Sequence, residues 1–206
     1  MTSRIIRTNK ERTETTRQAL TEAARALFVD QGYGQTSTPD IVAAAGITRG
    51  ALYHHYADKR DLFRHVLEQE SRAVAAEIAA ATPEALAPRE ALLTGSDAYL
   101  RAMTMPGRTR LLLIDGPAVL GMAEIMAMDD ANAARSLRQG LAEAGMGRGE
   151  VSLDALSQLL SAAFDRAALE IEAGADAAEV RAAMRWLLQQ ALGPEAPSKP
   201  ARKTKS

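Results

Sequence analysis

The 206-residue chain contains no cysteine, which excludes a disulfide framework, a thiolate zinc site, an iron–sulfur cluster and a cysteine nucleophile, and fits a reducing cytoplasm. Aromatic residues make up only 4% of it, and the β-branched and aromatic enrichment of strands is missing. No stretch approaches the roughly 18 uninterrupted apolar residues of a membrane span, and the polar start over 1–17 holds no apolar signal-peptide core. A soluble, cytoplasmic protein with no membrane partner is expected. What the chain does have is alanine in run after run, as over 73–81, within 47% apolar and 25% charged residues. Good helix formers therefore dominate, and the expected fold class is all-α.

The net charge of −1 conceals a partition: +3 over 1–60, −7 over 61–193 and +3 over 194–206. A polyanion would meet the N-terminal segment and be repelled by the body. Residues 1–9 read as a flexible basic arm with Arg4 and Arg7, and 194–206, rich in Pro and Lys, as a disordered tail. Between them, Leu20, Ala23, Ala24, Leu27 and Phe28 recur at helical spacing in a helix from about Lys10 to Gln31, which glycines 32 and 34 convert to a loop. Further helix starts stand at Ser37, with Pro39 and Asp40, at Thr48 and at Asp58. The last opens a long helix to about Ala81. Beyond Pro83, helical patterns at about 89–104, 108–115, 117–128, 131–144, 152–173 and 176–192 are punctuated by Pro and Gly, Gly116-Pro117 among them. The expected organisation is a head over 10–57 and a helical body over 58–193, with 58–81 connecting them.

Residues 38–56 carry the strongest signal. Two short helices turn at Gly46, where glycine permits a positive φ, and Ile41, Ile47 and Leu52 can meet between them. This is the pattern of a helix-turn-helix. Thr48 would cap the second helix, whose outward face carries Arg49, Gly50, Ala51, Tyr53 and His54: a guanidinium for guanine, small residues for close approach, and polar aromatics for base edges or phosphates. Ser37, Thr38 and Lys59 would supply further phosphate donors.

Gly32-Tyr33 with Thr36-Ser37, Ile41, Ala45-Gly46-Ile47-Thr48-Arg49-Gly50, Leu52-Tyr53-His54-His55-Tyr56 and Lys59-Arg60-Asp61-Leu62 together resemble the N-terminal signature of TetR-family transcriptional regulators. Val42 stands where that family usually has alanine. The resemblance spans about 12–70 and implies an all-helical homodimer, with a three-helix DNA-binding head joined by a fourth helix to a ligand-binding and dimerising body. It further implies a four-helix dimer interface from the last two helices, for which Leu156, Leu160, Ala163, Ala167, Met184, Leu187 and Leu188 have suitable spacing. The segment 110–121 looks like one found in a subset of the family.

Methionines 103, 105, 122, 126, 128 and 146 cluster in the middle of the body, and flexible thioethers suit an adaptable apolar pocket. The expected inducer site is Met103, Met105, Met122 and Met126 with Tyr99, Leu112, Ile125 and Phe164, and with Arg110 or Asp115 for polar contacts. Trp186 fits either core or interface. Adjacent His54 and His55 diverge by about 100° on a helix, and His65 stands beyond the next helix start, so no metal site is expected. The run Gly145-x-Gly147-x-Gly149 lacks the strand of a nucleotide fingerprint and reads as a loop, and no cofactor is expected. The expected function is a ligand-responsive repressor that binds palindromic double-stranded operator DNA as a homodimer and is released by a largely apolar small molecule. The competing reading is an all-α carrier or enzyme that merely contains a helical hairpin. No nucleophile with a nearby base, and no spaced pair of acids, supports the enzyme.

Overall fold

A computed structural model describes residues 9–146 and 151–193. The basic arm before Asn9, the tail from residue 194, and Gly147 and Gly149 of the glycine run lie outside the described residues. The helices are α1 (Asn9–Gln35), α2 (Thr38–Ala45), α3 (Arg49–His55), α4 (Lys59–Ala81), α5 (Pro88–Met103), α6 (Arg108–Arg110), α7 (Gly116–Leu120), α8 (Met122–Asp130), α9 (Ala133–Glu143), α10 (Leu153–Glu172) and α11 (Ala177–Leu192). A π-helical turn, Leu111–Asp115, joins α6 to α7. The described residues contain no strand, and the fold class is all-α as expected.

Local chemistry sets the boundaries in the head. Ser37 and Asp40 form a reciprocal capping box at the start of α2, Gly46 closes that helix at φ 65°, and Thr48 and Asp58 cap α3 and α4 by accepting from Ala51 and Asp61 N–H. Two expected breaks move. The loop at 32–34 is instead a kink: Gly32 takes φ 79°, ψ 160°, the helix resumes to Gln35, and the Gly32 carbonyl accepts both the Thr36 N–H at 3.3 Å and the Thr36 hydroxyl at 2.9 Å. Likewise the helix passes through Gly116-Pro117 and breaks at Gly121, φ 91°. Pro117 falls in the first turn of α7, directly after the π-helical turn. Gly116 is a close-packing position, since a Cβ there would lie 2.9 Å from Ile125 Cδ1 and 3.1 Å from Leu67 Cδ1.

Two apolar cores share α4. Leu62, Phe63, Val66 and Leu67 of its first half pack with Leu20, Phe28, Ile41 and Leu52 of the head, where the Phe28 and Phe63 rings meet edge to face at 5.0 Å. Its second half, Val74 and Ile78, joins Leu92, Leu100, Leu141, Leu160, Phe164 and Leu188 in the body. Leu111 and Leu120 of the body complete the head core, so packing does not divide at residue 58.

Ion pairs fix the same junction. Glu70 of α4, buried, accepts from Arg25 Nε of α1 at 2.6 Å and from Arg108 Nε of α6 at 2.7 Å. Arg108 also reaches Glu77 at 2.8 Å and the Ala102 carbonyl at 2.7 Å. Burial alone would raise the Glu70 carboxyl, but the hydrogen bonds from Arg25 and Arg108 outweigh it and hold it below the usual range. Lower down, Glu124 of α8 receives both Arg60 and Arg64 of α4.

At Gly107 the body presses on α1. Its φ is +78°, and a Cβ there would stand 2.5 Å from Val29 Cγ1. Gly107→Ala is therefore expected to cost about 1–3 kcal/mol through overpacking and about 1 kcal/mol more through the left-handed backbone. Thermal or urea unfolding of Gly107→Ala, Val29→Ala and the double variant checks this. The double variant should lose less stability than the two single losses added together.

Candidate nucleic-acid interface and ligand cleft

Short α3 is held from beneath and open above. Leu52 is fully buried against Ile41 and the α1–α4 core, and the Tyr56 hydroxyl pairs with buried Thr21 at 3.1 Å, fixing the end of α3 to α1. Ile47 packs partly against the same core. With that face occupied, Thr48, Arg49, Gly50, Tyr53 and His54 stand exposed and Ala51 half-buried. Tyr53 is 44% exposed, and the Arg49 guanidinium lies 5.5 Å from its ring centroid. Arg49, and after it Thr38, lower the Tyr53 phenol from its ordinary value by hydrogen bonding. His54 stacks edge to face on His55, whose half-buried ring is driven toward the neutral form by burial, by His54 and by Arg17.

Two expected phosphate donors are engaged inside the protein. Lys59 Nζ donates to the Tyr33 carbonyl at 2.9 Å and the Thr36 carbonyl at 2.8 Å, and sits 4.1 Å from the centre of the Tyr33 ring. It caps the end of α1, whose last carbonyls have no intrahelical partner. The Ser37 hydroxyl donates to Asp40, whereas the Thr48 hydroxyl is used by the α3 cap only as an acceptor, from the Ala51 N–H.

In the body, α4, α5, α9 and α10 enclose a cleft of about 930 Å³, with Ile78, Thr82, Leu86, Leu92, Leu137 and Phe164 among its walls. Of the residues expected around a ligand, Tyr99 and Phe164 line it; the others do not. Met103 is core and borders a smaller hollow of about 200 Å³. Met105, Met122 and Met126 lie on the surface, the latter two 60% and 52% exposed. Leu112 packs against both cores, Ile125 packs beside Gly116, and Arg110 pairs with Asp115 at 3.4 Å while lying against Gly32. The methionine cluster is real in sequence but is spread from the end of α5 to the turn after α9.

The expected dimer residues also need correction. Leu160, Ala167, Met184 and Leu188 are buried in the subunit's own core, and Leu156 and Ala163 pack against it; Leu187 alone of the set is exposed. The outward faces of α10 and α11 instead present Ala155, Leu159, Ala162, Ala183 and Trp186, with Leu159 71% and Trp186 61% exposed.

Sequence reasoning missed a pair of acids behind the cleft wall. The Tyr99 hydroxyl donates to Asp165 at 2.6 Å, and the Ser161 hydroxyl to Asp129 at 3.1 Å. Burial, reinforced by the Asp129 charge and only partly offset by Tyr99, raises Asp165 to about 6, and burial likewise raises Asp129. The available signal was an acid at position 165, next to Phe164 and one helical turn after Ser161. A raised acid binds its proton more tightly in the folded state, so its stabilising effect is present at low pH and is lost as pH rises from about 4 to about 6. Asp165→Asn should therefore gain stability over the parent chiefly above pH about 6. Melting curves of both proteins from pH about 4 to 8 check this; a difference independent of pH would contradict it.

Comparison with known proteins agrees with this architecture. Residues 20–66 match the family model of bacterial regulatory proteins, tetR family, and 89–193 match that of the tetracyclin repressor-like C-terminal domain. The HTH-type transcriptional regulator AcrR of Shigella flexneri is 45% identical over 64 residues, a match covering 31% of this chain and 30% of that protein. Similarity to the curated relatives thus spans about a third of their length or less. A crystal structure of a TetR-family transcriptional regulator from Pectobacterium atrosepticum is 32% identical, covering 88% of this chain and 94% of the other at a TM-score of 0.65. The regulator LfrR of Mycobacterium smegmatis, solved in complex with proflavine, shares the fold at 21% identity and a TM-score of 0.62, over 86% and 96% of the two chains. With one family model on the helix-turn-helix, another on half the chain, and a solved relative aligned nearly end to end, the chain belongs to the TetR family of bacterial regulatory proteins.

Proposed function

We propose that the chain is a transcriptional repressor that binds a palindromic operator as a homodimer and is released when a small molecule occupies the cleft. The observation that carries the reading is the exposed face of α3, where Arg49, Tyr53 and His54 project from a helix locked underneath by Leu52 and Tyr56. Base reading falls to Arg49, Tyr53 and His54, close approach to Gly50 and Ala51, and phosphate contact to Thr38 and Thr48. The named relative BepR of Brucella suis, a transcriptional repressor, is 37% identical over 62 residues, which supports repression. The outward apolar faces of α10 and α11 around Leu159 and Trp186 support pairing with a second copy. Two heads so held would enter successive major grooves about 34–36 Å apart, and the operator would mirror their symmetry.

The switch follows from α4. Ile78, Ala79 and Thr82 at its far end line the cleft, and Lys59 at its near end clamps the head. A ligand that favours a tilted α4 would misplace the heads, and a coupling of about 1–3 kcal/mol weakens DNA binding roughly 5- to 150-fold. LfrR with proflavine is one protein of this fold in which a small molecule was bound.

Arg49→Ala is expected to lower operator affinity by about 1–3 kcal/mol and to relax discrimination at one base pair. Titration against single-base variants of the promoter fragment beside its own gene, with random DNA as reference, checks this; unchanged sequence preference refutes the role. Lys59→Ala should lower the melting temperature and weaken all sequences alike. A salt dependence flattened by about one counterion would return Lys59 to the phosphates, and an unchanged slope with a less stable head identifies the clamp. Trp186→Glu should raise the dimer dissociation constant at least about tenfold, about 1.4 kcal/mol, as read by sedimentation, and weaken the operator in parallel. A dimer unaffected by Trp186→Glu and Leu159→Glu removes this interface.

A further inference from the structure

The electrostatics of the cleft name the chemical class of its ligand, an inference that rests on the cleft being the ligand site. No lysine, arginine or histidine is among its lining residues in the described chain; its lining carboxylates are Glu84 and Glu143. Behind two of the lining hydroxyls stand Asp165 and Asp129. Buried Glu70 receives two guanidiniums, whereas neither of these aspartates has a cationic partner among the described residues. Asp165 accepts from Tyr99, and Asp129 from Ser161 and the Ala134 N–H, so acceptor sites remain on both carboxylates. Two half-buried acids, the charge of one raising the proton affinity of the other, form a site in which negative charge is uncompensated.

We propose that the cleft takes a cationic ligand, an apolar or aromatic molecule carrying a protonated amine, whose ammonium donates to the Tyr99 and Ser161 hydroxyl oxygens in the field of Asp165 and Asp129 directly behind them. The apolar part fits the remaining wall. Phe164 and Tyr99 meet edge to face at 5.9 Å and offer ring faces to a cation, while Ile78, Leu92 and Leu137 supply apolar surface. A volume of about 930 Å³ is that of a site for a drug-sized molecule. An anion would meet Glu84 and Glu143 on the wall and the field of Asp165 and Asp129 behind it, with no counter-charge among the lining residues. A neutral ligand would compete for acceptors without relieving the charge. The ammonium alone gains from both the desolvated acids and the rings.

Three probes with one skeleton test the class: 2-(biphenyl-4-yl)ethylamine, the corresponding alcohol, and the corresponding carboxylate, titrated calorimetrically into the full-length protein without DNA. The amine is expected to bind at least about tenfold more tightly than the alcohol, and the carboxylate most weakly. Asp165→Asn and Asp129→Asn should each reduce the preference for amine over alcohol, and the double variant should abolish it. Tyr99→Phe, which keeps the ring and frees Asp165, should retain the preference, guarding against a loss caused by collapse of the cleft. Equal binding of amine and alcohol, tighter binding of the carboxylate, no saturable amine binding up to about 1 mM, or a preference untouched in the double aspartate variant would each overturn the proposal. Release of the promoter fragment is read separately. Release by the alcohol as readily as by the amine leaves the regulator intact and overturns the cation; amine binding with the stated preference supports the cation even if the fragment stays bound, in which case the switch is what fails.

Discussion

One buried carboxylate holds the molecule together as a machine. Glu70 sits near the middle of α4, and its two oxygens are shared between Arg25 from the head and Arg108 from the body. A lone buried charge would be costly, and either arginine removed would leave the remaining partners poorly matched. The three-way arrangement is therefore stable only as a whole, and it pins α1, α4 and α6 at one point. Arg108 extends the bracing to Glu77 and to the end of α5 through the Ala102 carbonyl, while Arg25 reaches the Pro106 carbonyl. Around that point the contacts of α4 are divided: head core on one side, body core on the other. A helix so fastened transmits a tilt, because neither half can move without moving the other.

Much of the head was legible because its signals are local. Side-chain caps and a glycine turn act within four residues, the apolar triad Ile41, Ile47 and Leu52 spans only eleven positions, and Ser37, Gly46, Thr48 and Asp58 take the conformations their types favour. Exposure of Arg49 and Tyr53 followed from the same register. What the sequence concealed was long-range: Gly32 kinks rather than ends α1, and Lys59, a surface cation by type, turns inward to the carbonyls at the end of α1.

The body was harder for a reason rooted in alanine. Where small apolar residues occur on all sides of a helix, periodicity finds the helix but does not say which stripe faces the core. On α10 and α11 the larger leucines at 160 and 188 were assigned to the partner and instead fill the subunit, while Leu159 and Trp186, one or two positions away, face outward. The same limit applied to the methionines, which are neighbours in sequence but separated by the Gly107 and Gly121 turns. Asp129 and Asp165 escaped notice because 36 positions of chain lie between residues that only packing brings together.

The acids behind the cleft wall also constrain how a signal could travel. A cation bound there makes the body less negative, and by charge alone that would favour DNA, the opposite of release. The effect at α3 is nonetheless small. From Thr82 at the cleft to Asp58 at the head is about 36 Å along α4, at about 1.5 Å per residue, against a screening length of about 8 Å in physiological salt. Charge therefore selects the ligand but does not carry the message. The message has to be mechanical, borne by a helix whose far end lines the cleft, whose middle is clamped by Arg25 and Arg108, and whose first residue holds the end of α1 in place.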